Sequence, residues 1–379
     1  MDRMPSTVDL VIIGGGPAGL AVAIAARQKN ISVLVVERAQ GPIDKACGEG
    51  LMPDGIAALS RLGVSLPPGQ TVPFRGIRFI DGQASVEAPF PDGWGLGIRR
   101  TTLHETLAKY ALEAGASLAW GTKVRGLMHD GVDLGTHIVR CRWIVGADGQ
   151  NSSVRKWAGL ESVHLERIRF GHRRHFELVP WTDFVEVYWG ESFQIVLTPV
   201  NSRLICAALV SRSARLQLDD AIALIPALSR RLTNAVPATR EKGAVSAFRI
   251  LRSVYREHVA LAGDASGSVD SITGAGLCLA FKQAAVLAEA IAGNNLSEYS
   301  NSHRRIAGMP ALMSLLLLIL GRHSLLRRGI LCTFNAKPRL FSLLLEAHVG
   351  RPLGPAVSRH DAETLPQIFT NHTSELPES

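Results

Sequence analysis

The sequence predicts an α/β chain with a Rossmann-like parallel sheet, an inserted antiparallel-sheet domain and a C-terminal helical segment. Three observations predict it. The apolar strand Val8 to Ile13 runs into Gly14-Gly15-Gly16-Pro17-Ala18-Gly19, and an apolar helix from Leu20 to Arg27 follows. Two later strands end in Gly-Asp turns, at Gly146-Ala147-Asp148-Gly149 and at Gly263-Asp264. Between them, from about Arg167 to Leu251, the texture changes to short alternating strands.

The first turn implies a dinucleotide. Gly14 permits the tight turn, Gly16 lets the backbone approach a pyrophosphate, and Gly19 lets helix and strand pack closely. Amides at the helix start then hold the phosphate charge. A second strand, Ser32 to Val36, ends in Glu37, about 20 positions on, where a ribose-binding acid is expected.

Further along, a helix is expected near Pro53 to Leu62, a hairpin over Arg75 to Ala88 turning at Asp81-Gly82, and a helix over Thr101 to Ala114 capped by its threonine. Strands follow at 117–120, 123–128 and 136–145, then at 170–178, 184–189, 193–199 and 204–210, with a helical stretch near 218–232. Val259 to Ala262 is a buried strand and Gly276 to Ala292 a long apolar helix. The expected division is a discontinuous nucleotide-binding domain (1–74, 95–166, 252–300), a substrate-binding sheet domain (75–94, 167–251), a helical segment (301–350) and a flexible tail (351–379).

The 379 residues are 46% hydrophobic and 20% charged, an ordinary globular composition with room for two or more packed units. Cys47, Cys141, Cys206, Cys278 and Cys332 are scattered without a CxxC pair, which argues against a disulfide framework or zinc site and suits a reducing cytoplasm. The first apolar stretch is already the glycine-loop strand, so no signal peptide is expected. The net charge of +8 gathers in 167–175 and 304–339, neither of which forms a nucleic-acid module. Anionic substrates, the inner face of a membrane, or plain solvation of a basic face explain it. Ile306 to Gly321 carries no charge, but it falls short of the roughly 20 residues of a bilayer span and contains Pro310. Residues 304–348 are read as a helical cap over the core, or as an apolar and basic surface for peripheral membrane contact.

Through the ordered anchors Gly14–Gly19, Glu37-Arg38, Arg100 with Leu103 and Leu107, Gly146-Asp148-Gly149 and Gly263-Asp264, the chain resembles the FAD-dependent aromatic hydroxylase and geranylgeranyl reductase superfamily. The resemblance implies a glutathione-reductase-type sheet with FAD bound across it. It puts Glu37 on the adenosine ribose, with Arg38 beside it, and Arg100 along the ribityl and phosphate region. Asp264 meets a ribityl hydroxyl, and Asp148 orders a loop shared by flavin and nicotinamide. Gly274 and Gly276 bring bare backbone and a helix dipole to the flavin's pyrimidine edge, where reduced flavin is negative. One departure is visible: Asp270 is followed by Ser271 where the family often has proline, so a less rigid loop is expected.

The segment Lys45-Ala46-Cys47-Gly48-Glu49-Gly50-Leu51 resembles the loop beside the isoalloxazine in geranylgeranyl reductases. Cys47 contacts flavin or substrate, or packs as a small apolar group. Glu49 is a proton donor, a hydrogen-bond anchor, or one half of a salt bridge. Of His172-Arg173-Arg174-His175, the histidines face opposite sides of a strand without other ligands, so no metal is expected. Tyr188-Trp189 reads as core or pocket wall, and no Trp-x-Trp-x-Ile-Pro segment of a halogenase is present.

The expected activity is an NADPH- or NADH-dependent monooxygenation of an apolar, phenolic or polyketide-like molecule. Oxygen is transferred through a flavin C(4a)-hydroperoxide, and the nicotinamide visits transiently because no second Gly-x-Gly-x-x-Gly holds it. The C-terminal pattern, Met309-Pro310 with the leucine run and then Pro338 to Gly350, resembles flavoenzymes that accompany bacterial type III polyketide synthases. The alternatives are a flavin reductase of isoprenoid double bonds and a flavin-binding redox sensor without turnover.

Overall fold

A computed structural model describes residues 4–350; the tail expected over 351–379 lies outside the described residues. The first sheet runs in the order Tyr255–Arg256, Val259–Leu261, Ile138–Gly146, Thr7–Ile13, Val33–Val36, Ser117–Ala119. Its five inner and edge strands from Val259–Leu261 to Ser117–Ala119 are parallel. Register is what builds the site. Ile13 pairs with both Gly146 and Val36, and Gly146 pairs with Leu261, so four strands end level. The turns at Gly14, Glu37, Ala147 and Gly263 therefore meet at one carboxyl edge, where open α/β sheets take ligands. The helices Pro17–Arg27, Arg100–Glu113 and Gly276–Ala292 bury Leu20, Leu107 and Phe281 in one core with Leu10 and Ile12 of the central strand.

The second sheet orders Val236–Pro237, Val163–Glu177, Leu204–Ser211, Phe193–Asn201, Phe184–Trp189, Gly76–Asp81 and Ala84–Pro89. The hairpin at Gly76–Pro89 joins it through a parallel pairing with Phe184–Trp189. Lys242–Leu251, a strand without a clear sequence signal, also pairs with Val163–Glu177. That partner reaches 15 residues, longer than expected, because its charged first half is stabilised by a neighbour 80 residues on rather than by its own alternation. Two short helices, Leu218–Ala223 and Pro226–Leu232, cover this sheet.

Other boundaries differ for identifiable reasons. The first helix begins at Pro17, since proline at the first helical position needs no amide partner. The helix expected to be capped by Thr101 begins at Arg100, and its N-cap Arg99 gives no side-chain bond. Of 123–128 only Gly126–Met128 is strand, in a hairpin with Gly131–Asp133. A small sheet of Gly50–Leu51, Gly95–Ile98 and Thr71–Phe74 was not anticipated. Leu296–Leu320 is a single helix that passes through Pro310, and Ser324–Ala336 and Pro338–Val349 complete a C-terminal cap.

Candidate functional site

The first turn has the geometry of a phosphate cradle. Gly14 sits at φ +114°, and a Cβ there would meet the Ala147 carbonyl oxygen at 2.3 Å. At Gly19 a Cβ would meet the Gly14 oxygen at 1.9 Å. Gly16 is different: nothing lies within 4 Å of its Cβ position, and it lines the cavity described below. Glu37 Oε2 accepts from the Gly15 amide at 2.9 Å and Oε1 from the Ala39 amide at 2.9 Å. A carboxylate has further lone pairs for a sugar hydroxyl. His104 donates Nε2–H to the Gly15 carbonyl at 2.9 Å, and burial pushes its pKa down. Sequence reasoning missed His104; its signal was a polar residue inside the apolar stripe of Leu103, Leu107 and Ala111.

The two Gly-Asp turns are built differently. Asp148 accepts from Ser152 Oγ at 2.5 Å and from the Ser153 amide at 2.7 Å, holding the start of the helix Ser153–Trp157. Asp264 pairs with Lys45 at 3.1 Å, tying the second turn to the 44–50 loop. Downstream, the loop expected to lack rigidity is anchored on every side of Asp270. Its carboxylate pairs with Arg169 at 3.2 Å and accepts from the Ile272 amide at 3.1 Å. Its amide donates to Ser314 Oγ at 3.0 Å and its carbonyl accepts from Thr273 Oγ1 at 2.7 Å. Arg169 thus takes the place of a rigidifying proline. Gly274, at φ +67°, and Gly276 both have open space at their Cβ positions and line the cavity.

These residues fit a bound FAD. Bare backbone at Gly16, Gly274 and Gly276 forms surfaces that any side chain would fill. Arg100 lines the same space with a buried Nε that has no partner, and Arg38 lines it as an exposed cation.

Glu49 is an anchor rather than an open acid. It adopts φ +58° and is 2% exposed. Its Oε1 accepts from the Arg100 amide at 2.9 Å, filling the cap that Thr101 does not provide. Its Oε2 accepts from His175 Nε2 at 2.6 Å, while His175 Nδ1 accepts from Arg173 at 3.1 Å. Arg173 also bonds Asp44, which Lys242 holds at 2.9 Å. Cys47 is half-buried on the cavity wall, with its carbonyl facing the Cys206 thiol at 3.6 Å.

His175 does have companions, contrary to the sequence expectation. Its strand places it opposite Cys206, and the loop brings Glu49, so three ligand atoms lie within 4.8 Å of one another. The chemistry does not favour a cation there. Arg173 and Arg99 already face Glu49 at 3.9 and 3.7 Å, and burial raises the Cys206 thiol well above its usual pKa. His172 bonds Glu241 at 2.7 Å on the other side of the strand.

One cavity of about 1250 Å³ joins these features. It begins at Gly16, Glu37 and Arg38, passes Cys47, Gly274 and Gly276, and continues as an apolar arm between the second sheet and the cap. Phe79, Val187 and Trp189 wall one side of the arm; Met313, Leu317, Phe341 and Leu344 wall the other. Trp189 therefore is pocket wall, whereas Tyr188 is core, bonded to Glu186 at 2.9 Å. The cap contributes two ionisable residues to the lining, Arg327 and His348. Arg327 is paired with Asp81 at 2.9 Å. His348 donates to the Thr273 carbonyl at 3.0 Å, and burial pushes its pKa down.

Comparison with known proteins gives the same picture. A family model described as an FAD binding domain matches residues 7–298. A menaquinone reductase of Mycolicibacterium smegmatis is 28% identical over 333 residues, 79% of this chain and 80% of that one. A rifampicin monooxygenase of Streptomyces venezuelae is 31% identical over 163 residues, 40% of this chain and 34% of that one. Among solved structures, the flavin-dependent brominase Bmp2 superposes with a TM-score of 0.77 at 20% identity, covering 90% of this chain and 93% of that one. At that identity the likeness to Bmp2 is one of fold.

Proposed function

This chain belongs to the FAD-binding-domain family and is an FAD-dependent oxidoreductase, and from that premise we propose that it is an NAD(P)H-dependent monooxygenase of an elongated, apolar, phenolic or polyketide-like molecule. The apolar arm carries this reading: its apolar walls suit an alkyl chain, with the reacting end toward the glycine turns. In the overall reaction one oxygen atom enters the substrate and the other leaves as water, with both electrons coming from NAD(P)H. Bound FAD supplies the redox chemistry. The chain's part is to hold it and keep water out. In this reading Glu37 and Arg38 take the adenosine end, Arg100 and Asp264 the ribityl and phosphate region, and Gly274 and Gly276 the pyrimidine edge. Residues 75–94 and 167–251 serve the substrate, and the enzyme works in the cytoplasm.

The lining favours oxygenation over hydrogenation. Reducing an isolated double bond needs a proton delivered to carbon; the arm has no free acid among its described residues, and toward the glycine turns Lys45 and His172 are held by Asp264 and Glu241. Arg327 is salt-bridged, burial pushes the His348 pKa down and its N–H is committed to Thr273, and Glu49 is sealed with a 0% exposed side chain. Beside the resemblance of the Lys45–Leu51 loop, the reductase reading has a second observation in its favour. The menaquinone reductase matches over far more of the chain than the monooxygenase does. It would require the Cys47 thiol or a water as proton source.

The two readings separate in one experiment. FAD-loaded protein, NADPH or NADH, alkylresorcinols and prenyl lipids are combined under heavy-isotope oxygen. One labelled oxygen in the product supports the monooxygenase; two added hydrogens without label replace it with the reductase.

A further inference from the structure

Leu296–Leu320 has two apolar faces where a globular cap helix needs one. Pro310, Met313, Leu317 and Leu320 are buried against the second sheet and the cavity. Met309, Leu312, Leu315 and Ile319 recur at the same helical spacing on a roughly opposite stripe and are exposed. The next two helices continue this second surface, with Leu325 82% exposed and Leu343 58% exposed. Such a run of large exposed side chains marks a contact surface.

The charge around it is one-sided. From residue 299 to 345 the chain contains no aspartate or glutamate, while Arg304, Arg305, Arg322, Arg328, Lys337 and Arg339 are exposed. A second copy of the same face would bring like charges together, which disfavours self-association. Exposed apolar side chains with exposed cations on and between the same helices match an interface of acyl chains and anionic headgroups. The cavity reaches the same surface, because Thr333 and Leu340 are both exposed and among its lining residues.

We propose that the C-terminal cap docks face-on to an anionic lipid bilayer and that the apolar arm opens onto that bilayer, so that substrate enters from the membrane rather than through water. The entry route rests on the apolar-substrate reading above; the docking does not. The helix Leu296–Leu320 is long and apolar enough to span by length and composition. It nevertheless lies along the membrane surface, because spanning would strip Tyr299, Met313 and Leu317 from the core they are buried in.

The test is co-sedimentation of the full-length, FAD-loaded protein with vesicles of phosphatidylcholine alone or mixed with phosphatidylglycerol. The wild type is expected to sediment with the anionic vesicles and to be released by salt. Two paired variants, Leu325→Asp with Leu343→Asp and Arg322→Glu with Arg339→Glu, avoid the cavity lining. Each should lower partitioning by roughly tenfold or more, with FAD absorbance and melting temperature unchanged. Failure of the wild type to bind either vesicle overturns the proposal, as does binding that both pairs leave intact. A dimer in light scattering that the leucine pair breaks, without vesicle binding, assigns the face to a second copy instead. Labelled-oxygen incorporation from detergent-dissolved substrate without vesicle binding would sink the docking and leave the monooxygenase standing. Vesicle binding without any oxygenated product would do the reverse.

Discussion

Glu49 concentrates several demands in one side chain. A non-glycine residue at φ +58° is unusual and persists only where its surroundings over-determine it. Here they do, through the Arg100 amide, His175 and two guanidinium groups. Replacing Glu49 by alanine leaves those donors buried and unpaired, and an expected loss of about 3–5 kcal/mol follows. Glu49→Gln keeps an acceptor for the amide and should lose clearly less. Thermal unfolding with flavin content measured in parallel checks both; equal effects for the two variants would show that the charge is all that matters. Little of this was legible in the sequence. The loop was visible as a motif, but His175 lies 126 positions from Glu49, and nothing in local spacing links them.

At the scale of elements, the turns divide into those that shape the protein and those that shape its cargo space. Gly19→Ala would drive a Cβ into the Gly14 carbonyl, so it should destabilise the apoprotein. Gly16→Ala meets no protein atom, so the apoprotein should melt as the wild type does. Its FAD affinity should nonetheless fall roughly tenfold or more, because the methyl occupies pyrophosphate space. Flavin titration followed by melting of the stripped protein separates the two. The Gly263–Ser266 turn adds a pH dependence. Ser266 donates to the Gly263 carbonyl and accepts from His303, whose pKa burial lowers from 6.5 to about 4. Below pH 6.5 the unfolded chain binds a proton that the native histidine refuses. Stability present above that pH is therefore lost as the pH falls toward 4, by about 2–3 kcal/mol. His303→Gln should flatten that slope; an unchanged slope in urea unfolding between pH 7 and 4.5 would locate the acid lability elsewhere. These turns were the legible part of the site, because each is a strand, a glycine and an acid within a few residues. Arg169, which steadies Asp270 from the other sheet, was not.

Across the whole molecule, buried charge joins the cap to the second sheet. Arg327 of the cap reaches Asp81 at the tip of the Gly76–Pro89 hairpin and stacks over Trp189 at 5.2 Å. Arg327→Leu leaves buried Asp81 with only the exposed Arg328, at 3.8 Å, for company, at an expected cost of about 3–5 kcal/mol. The double change with Asp81→Asn should recover much of it, as chemical denaturation would show. The cap itself was foreseen as a helical cover over the core or as an apolar and basic membrane-contact surface, since leucine spacing does not say which of two faces meets the protein. One consequence concerns how this enzyme can change. The far wall of the arm is drawn from one unbroken stretch, 313–348, which contains none of the glycine turns. Phe341 stands there between Phe79 and Phe334, at 5.1 and 5.2 Å, like a stop on a sliding rule. A smaller residue at that stop would lengthen the arm and leave the flavin turns untouched. Under the proposed apolar-substrate reading, preference for one chain length over another then drifts by single substitutions while the redox machinery stays the same.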